Sequence, residues 1–272
     1  MEEKNLDNWQ QFEEAIASLE DERTQKKAST SLHISKHLYR GHADSNWKLE
    51  TTLDRYRDEE TYLKDYYRSI FAAKPQIETL TGKTWDIPSP PKYNETLDNE
   101  DHLYFFTTYG YDYLIYTRHH GFPSPLLDWT RSPYIAAFFA FRNAVKDGSV
   151  SIYVYQEYLG GGKSFERDSP RMQGLGPYVR SHERHFLQQS EYTICTARKD
   201  DQYLYTSHDD YVRNNKEDQD KIWKFNIPSS EKYAVLESFD RYNLNAYSLF
   251  NNEETLMETM AIRELIFKNN KL

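Results

Sequence analysis

The residues best equipped for chemistry are Gln189 and Glu191, in the run Gln188-Gln189-Ser190-Glu191-Tyr192-Thr193 that opens an apparent β-strand. Strand residues two apart face the same side, so the spacing predicts that this amide and this carboxylate point together into one cleft. A carboxylate beside an amide suits an enzyme that steadies a sugar cation and orients an attacking group. The same run also reads as a polar strand edge facing water. Two further stretches carry candidates. Tyr39-Arg40-Gly41 sets an arginine at a strand end, where its planar fork can grip phosphate oxygens in pairs while the glycine admits a close backbone. Leu126-Leu127-Asp128-Trp129-Thr130-Arg131-Ser132-Pro133 ends an apolar strand in hydroxyls and opens a helix, which Asp128 or Thr130 could also simply cap.

Other reactive-looking motifs are weaker. Gly160-Gly161-Gly162-Lys163-Ser164 resembles the end of a phosphate-binding loop, but Glu157 stands where its first glycine belongs, so a flexible loop is expected. His119-His120 and His182-Glu183-Arg184-His185 lack metal-ligand spacing with a third ligand nearby, and no metal is expected. Cys195, the single cysteine, follows a strand pattern with no activating neighbour.

These residues need elements to hold them. Trp9, Phe12, Ile16 and Leu19 recur at helical spacing, and Glu59 to Ala73 is helical by pattern. His37 to His42 reads as a short strand stopped by Gly41. Pro88, Pro90 and Pro91 with Gly82 make residues 80–100 an irregular excursion after a helical N-terminal part of about 1–100. Leu103 to Arg118 is aromatic-rich and helical. Pro133 starts a helix whose small residues permit close packing, Tyr134-Ile135-Ala136-Ala137-Phe138-Phe139-Ala140-Phe141. Strands follow over Ser149–Tyr155, Glu191–Ala197 and Ile222–Pro228, with a basic, glycine-rich loop from Gly160 to His185 and a mostly helical tail from Glu231. No repeat is visible, so one α+β domain over 1–272 with helical additions is expected.

The net charge of −9 gives no global attraction to nucleic acid or anionic membrane, so a nucleic-acid contact needs a local patch. Lys163, Arg167, Arg171, Arg180 and Arg184 outnumber Glu166, Asp168 and Glu183 in the glycine-rich loop and offer one, and some of the 23 tyrosines could stack bases, although core use suits most of them. One cysteine fits a reducing compartment, Met1-Glu2-Glu3-Lys4 does not open a signal peptide, and no apolar run approaches a membrane span. A cytoplasmic protein without a membrane partner is expected.

The chain resembles the FRG domain family through Tyr39-Arg40-Gly41, then His120-Gly121-Phe122-Pro123-Ser124-Pro125-Leu126-Leu127-Asp128-Trp129-Thr130 with Pro133 and Ala136, then Gln188-Gln189-Ser190, and Leu244-Asn245-Ala246-Tyr247-Ser248-Leu249-Phe250. More remotely, the order Arg40, Thr130-Arg131-Ser132, Gln189-Ser190-Glu191 is similar to ADP-ribosyltransferases of the Arg-Ser-Glu type. Here Trp129 replaces the first serine of the middle motif, and the gap from Arg40 to Thr130 is long. That second resemblance implies a split β-sandwich core and NAD as substrate without metal. It implies Glu191 as catalytic carboxylate, Arg40 and Gly41 at the pyrophosphate and ribose, and Thr130 or Ser132 positioning Glu191. Trp129 or Tyr134 would stack on nicotinamide, the alternative for Tyr134 being helix packing. Gln189, with Arg180 and Arg184, would meet the acceptor, a nucleic-acid base or a protein side chain. Family association further implies an intracellular bacterial toxin or anti-phage effector with a restraining antitoxin. The same residues leave open a non-catalytic nucleotide- or protein-binding module and an NAD glycohydrolase.

Overall fold

A computed structural model of the chain describes residues 1–57, 59–99, 109–161, 169–180, 183–214 and 220–268. Among the described residues, nine strands form one mixed sheet: β1 (Glu2–Asn5), β2 (Leu38–His42), β3 (Thr61–Tyr62), β4 (Leu127–Thr130), β5 (Ser149–Gln156), β6 (Arg171–Gly174), β7 (Ser190–Lys199), β8 (Gln202–Tyr205) and β9 (Lys221–Pro228). Their order is β1-β9-β5-β2-β4-β7-β8-β3, with β6 on the other edge of β7. Only β1 and β9 run parallel; the other pairs are antiparallel. Strands from residue 2 to residue 228 thus share one sheet, and the N-terminal hundred residues contribute β1, β2 and β3 rather than helices alone.

The helices are α1 (Trp9–Ser29), α2 (Thr52–Tyr56), α3 (Leu63–Thr81), α4 (Pro90–Asn99), α5 (Tyr111–His119), α6 (Pro133–Arg142), α7 (Glu183–Leu187), α8 (His208–Asn214), α9 (Lys232–Arg241), α10 (Ala246–Phe250) and α11 (Glu253–Ile262). The expected α+β class holds. Residues 90–99, expected to be irregular, are helical, because Pro90 and Pro91 sit in the first turn, where no backbone N–H has an intrahelical partner to lose. The glycine-rich loop likewise contains β6 and ends in α7. Its Gly162 to Ser164, Lys163, Glu166, Arg167, Asp168 and His182, and the expected helix over 103–108, lie outside the described residues.

Three apolar clusters hold this sheet. Phe12, Ile16 and Leu19 of α1 join Ala136, Ala137 and Phe141 of α6 against Tyr39, Val154 and Phe225. Tyr66 and Ile70 of α3 join Tyr113 and Leu114 of α5 against Tyr192 and Ile194. A third cluster, Leu38, Trp129, Tyr155, Cys195 and Tyr211, includes α8. Alternation along β7 separates the second and third, since Tyr192 and Ile194 serve one while Cys195 serves the other.

The sheet is discontinuous between β2 and β4. β2 pairs with β5 at all five of its residues but with β4 only at Tyr39 opposite Thr130. Beyond that rung the two strands part, leaving a fissure between the β5 side and the β7 side of the sheet.

Candidate functional site

A cavity of about 430 Å³ opens at this fissure, and its wall includes Arg40 and Gly41 from one lip and Asp128 and Thr130 from the other. The Arg40 guanidinium bridges the lips: Nη1 donates to the Asp128 carbonyl across the gap at 2.8 Å, and Nε donates to His42 Nε2 at 3.1 Å. Both acceptors are uncharged. Burial pulls the Arg40 pKa down to about 10, with the charge of Asp128 only partly opposing it. A His42 imidazole that accepts from Arg40 must be neutral, and burial together with the Arg40 charge lowers its pKa to about 3.

Gly41 has a packing function. A Cβ there would lie 1.9 Å from the Ala136 carbonyl and 2.8 Å from the Ala140 amide, so α6 rests directly on β2. The glycine thus admits a helix backbone, where a phosphate had been expected. Ala136 and Ala140, both buried, provide the matching small residues.

The opposite lip carries a second arginine. Arg118, at the end of α5, forms a two-pronged pair with the Asp128 carboxylate, and its Nη1 donates to Thr52 Oγ1 at 3.0 Å. Burial disfavours both charges. The pairing outweighs it, holding Asp128 below the usual carboxylate range and Arg118 above its own. Asp128 is therefore a salt-bridge partner rather than a helix cap. The cap of α6 is Ser132, whose Oγ accepts from the Ile135 amide at 3.3 Å. Thr130 Oγ1 donates to the Gln188 carbonyl at 2.8 Å and accepts from the Ser132 amide, which ties β4 to the chain entering β7.

Arg184 and Phe250 complete the far wall, the guanidinium lying 5.5 Å from the ring centre. Gln188 Nε2 donates to the Leu249 carbonyl and joins α10 to the same wall. His119 lines the cavity beside Arg118, and its Nε2 is 2.8 Å from the Tyr192 hydroxyl. With Arg40, Arg118 and Arg184 against the already paired Asp128, the described wall is cationic.

The Gln-x-Glu motif is arranged differently from its expected form. β7 begins at Ser190, which lines the cavity, whereas Gln189 lies in the turn before it with φ +48° and is exposed. Strand alternation thus does not align Gln189 with Glu191. Glu191 opposes Trp129 across β4 and β7, does not line the cavity, and lies 3.9 Å from Arg131. Burial raises its pKa, with Arg131 opposing. Trp129 is buried, and its Nε1 donates to Thr193 Oγ1. Tyr134 packs near Trp9 and Phe239 and stands outside the wall, as do Ser132 and the exposed Arg180. Arg40, Gly41, Trp129, Thr130 and Arg184 are thus brought together. Arg118, His119 and Phe250 were not anticipated, because the Arg118–Asp128 pair is separated by a turn-rich segment with His119, His120 and Ser124 that carries no periodic signal.

Among the described residues, no group of three or more His, Cys, Asp or Glu side chains is placed to hold a metal. No described helix is long and apolar enough to cross a membrane. No curated protein and no solved structure matches the chain. Residues 35–149 match the model of the FRG domain, a span that runs from the approach to β2 to the first residue of β5 and supplies Arg40, Gly41, Arg118, His119, Asp128 and Thr130. Both lips of the fissure lie within that match, so residues 35–149 of this chain are an FRG domain.

Proposed function

We propose that the fissure binds NAD and that the protein transfers ADP-ribose from it to a macromolecule. The observation that carries the proposal is the unneutralised Arg40 bridging the two lips of a cationic cavity. A buried guanidinium held by neutral acceptors gains from an anion, and a pyrophosphate offers oxygens for its fork. Breaking the nicotinamide–ribose bond leaves positive charge on the sugar, which a carboxylate stabilises. Asp128 lines the cavity but both its oxygens are engaged by Arg118. Glu191 carries no such two-pronged partner, and in this proposal it is the carboxylate that steadies the sugar, reached by a ligand extending past Ser190.

One observation favours a second function, a nucleotide-binding module without turnover: Glu191 stands outside the cavity wall. Incubation with NAD labelled in its adenylate phosphate, together with cell extract, separates the two. Label on RNA, DNA or protein supports transfer and identifies the acceptor. Free ADP-ribose indicates hydrolysis, and bound but intact NAD indicates the module. Glu191→Gln is expected to abolish turnover while leaving the thermal melt unchanged; undiminished turnover would overturn its role.

A further inference from the structure

The cavity wall carries several aromatic side chains, and they differ in how much of each ring is free. Tyr39 and Trp129 are buried. Phe139 and Phe250 pack edge to face on one another, and the guanidinium groups of Arg142 and Arg184 lie over the Phe250 ring. Trp47, by contrast, is 51% exposed, and the ring beside it, His42 at 6.2 Å, is tilted by 57° and does not stack on it. A large apolar ring held half in water at the wall of a cavity is a platform for a flat ligand. Its backbone is tied down on several sides. The Ser45 amide donates to the Ser149 carbonyl at 2.8 Å, Lys224 Nζ donates to the Ser45 carbonyl at 2.8 Å, and the Trp47 amide donates to the Asp44 carbonyl at 3.2 Å. Two residues on, Leu49 is fully buried. The ring is therefore in place before a ligand arrives, which lowers the cost of ordering it on binding.

The position of Trp47 relative to Arg40 is also defined. His42 is the neighbour of both, accepting from Arg40 Nε at 3.1 Å and lying beside the Trp47 ring. The residues that anchor the Trp47 segment, Ser149 and Lys224, belong to β5 and β9, and the sheet order β9-β5-β2-β4-β7 puts these strands on the opposite side of β2 from Ser190. A ligand gripped in its middle by Arg40 thus has one end toward Ser190 and the other toward Trp47. We propose, on the NAD-binding reading above, that Trp47 is the stacking site for the adenine of the dinucleotide. The reacting ribose must extend past Ser190 to meet Glu191, which leaves the adenosine half for the β5 side of the fissure. A single ribose links adenine to the pyrophosphate, so the base lies within one sugar of Arg40, and Trp47 is removed from that guanidinium by one ring, that of His42.

Calorimetric titration of the unaltered protein and of Trp47→Ala with NAD, ADP and nicotinamide mononucleotide tests this. Trp47→Ala is expected to weaken NAD and ADP by about 5- to 150-fold, the effect of losing one base–aromatic stack, and to leave nicotinamide mononucleotide unchanged. Trp47→Phe, which keeps an aromatic face, is expected to recover most of the affinity, and Trp47→Leu, apolar but not aromatic, is not. If Trp47→Ala melted early, the comparison of Phe with Leu would decide in its place. Nicotinamide mononucleotide weakened as much as ADP would overturn the assignment of the ring to adenine. NAD bound equally well by Trp47→Ala would overturn the stacking site while leaving the NAD-binding reading intact. ADP bound through Trp47 by a protein that does not bind NAD would do the reverse, and binding of neither nucleotide would overturn both.

Discussion

Arg40 is the residue on which the cavity's binding of anions turns. Its two acceptors, an imidazole and a carbonyl, return no charge, whereas Arg118 a short distance away is fully matched by Asp128. Removing Arg40 should therefore cost a ligand's phosphate contact without leaving a carboxylate orphaned. A charge-assisted hydrogen bond contributes about 1.5–3 kcal/mol, so Arg40→Gln is expected to weaken NAD binding by about 10- to 100-fold. Titration calorimetry with NAD would check it, and equal affinity in both proteins would remove Arg40 from the ligand site. Arg40 was legible in the sequence because an arginine followed by glycine on a short strand is an economical phosphate grip. The reason for the glycine was not legible, since the contact that demands it comes from a helix ninety-odd residues away. His119 was noticed only as half of a histidine pair. Its place in the cavity wall comes from a fold that sets it beside Arg118 and Tyr192, which no local spacing reveals.

At the scale of elements, the seat of α6 on β2 positions the arginine lip. Ala136 and Ala140 present bare backbone to Gly41, and no side chain fits between. Gly41→Ala forces that contact apart. Overpacking of a tight core costs about 1–3 kcal/mol, and a backbone neighbour 1.9 Å from the new carbon puts this variant at the upper end. Urea unfolding is the check, and a loss under about 0.5 kcal/mol would show that α6 can slide freely. The sequence identified most elements whose periodicity is internal, such as α1, α6, β5 and β9. It misplaced those whose signals are ambiguous out of context: the prolines of α4 serve as a helix start as well as a break, and β2 continues through a glycine because its neighbour needs the room. Gln189 shows the same limit. Period-two alternation assumes that a strand has begun, and a left-handed residue that ends α7 and turns the chain lies one position before it does.

For the whole molecule, the sheet is flanked by apolar clusters that leave two buried histidines, His42 and His208, pressed by the charge of Arg40. Burial, then that charge, lowers both to a pKa of about 3. Unfolded histidine takes up its proton near pH 6.5, so between about 6.5 and 3 the unfolded chain binds more protons and stability falls as the pH falls. Above that window the contribution is complete. Within it each withheld proton steepens the loss by about 1.4 kcal/mol per pH unit. Urea midpoints between pH 7 and 4 should therefore fall, and less steeply when both His42→Gln and His208→Gln are present; an equal slope would refute the assignment. The single rung between β2 and β4 has another consequence. A continuous ladder would make the sheet one stiff plate, but here two leaves share one backbone hinge, and their relative stiffness comes from the side chains and helices that span it. A ligand gripping both lips would act as the missing rungs, so occupancy of the fissure would couple the two leaves mechanically as well as chemically.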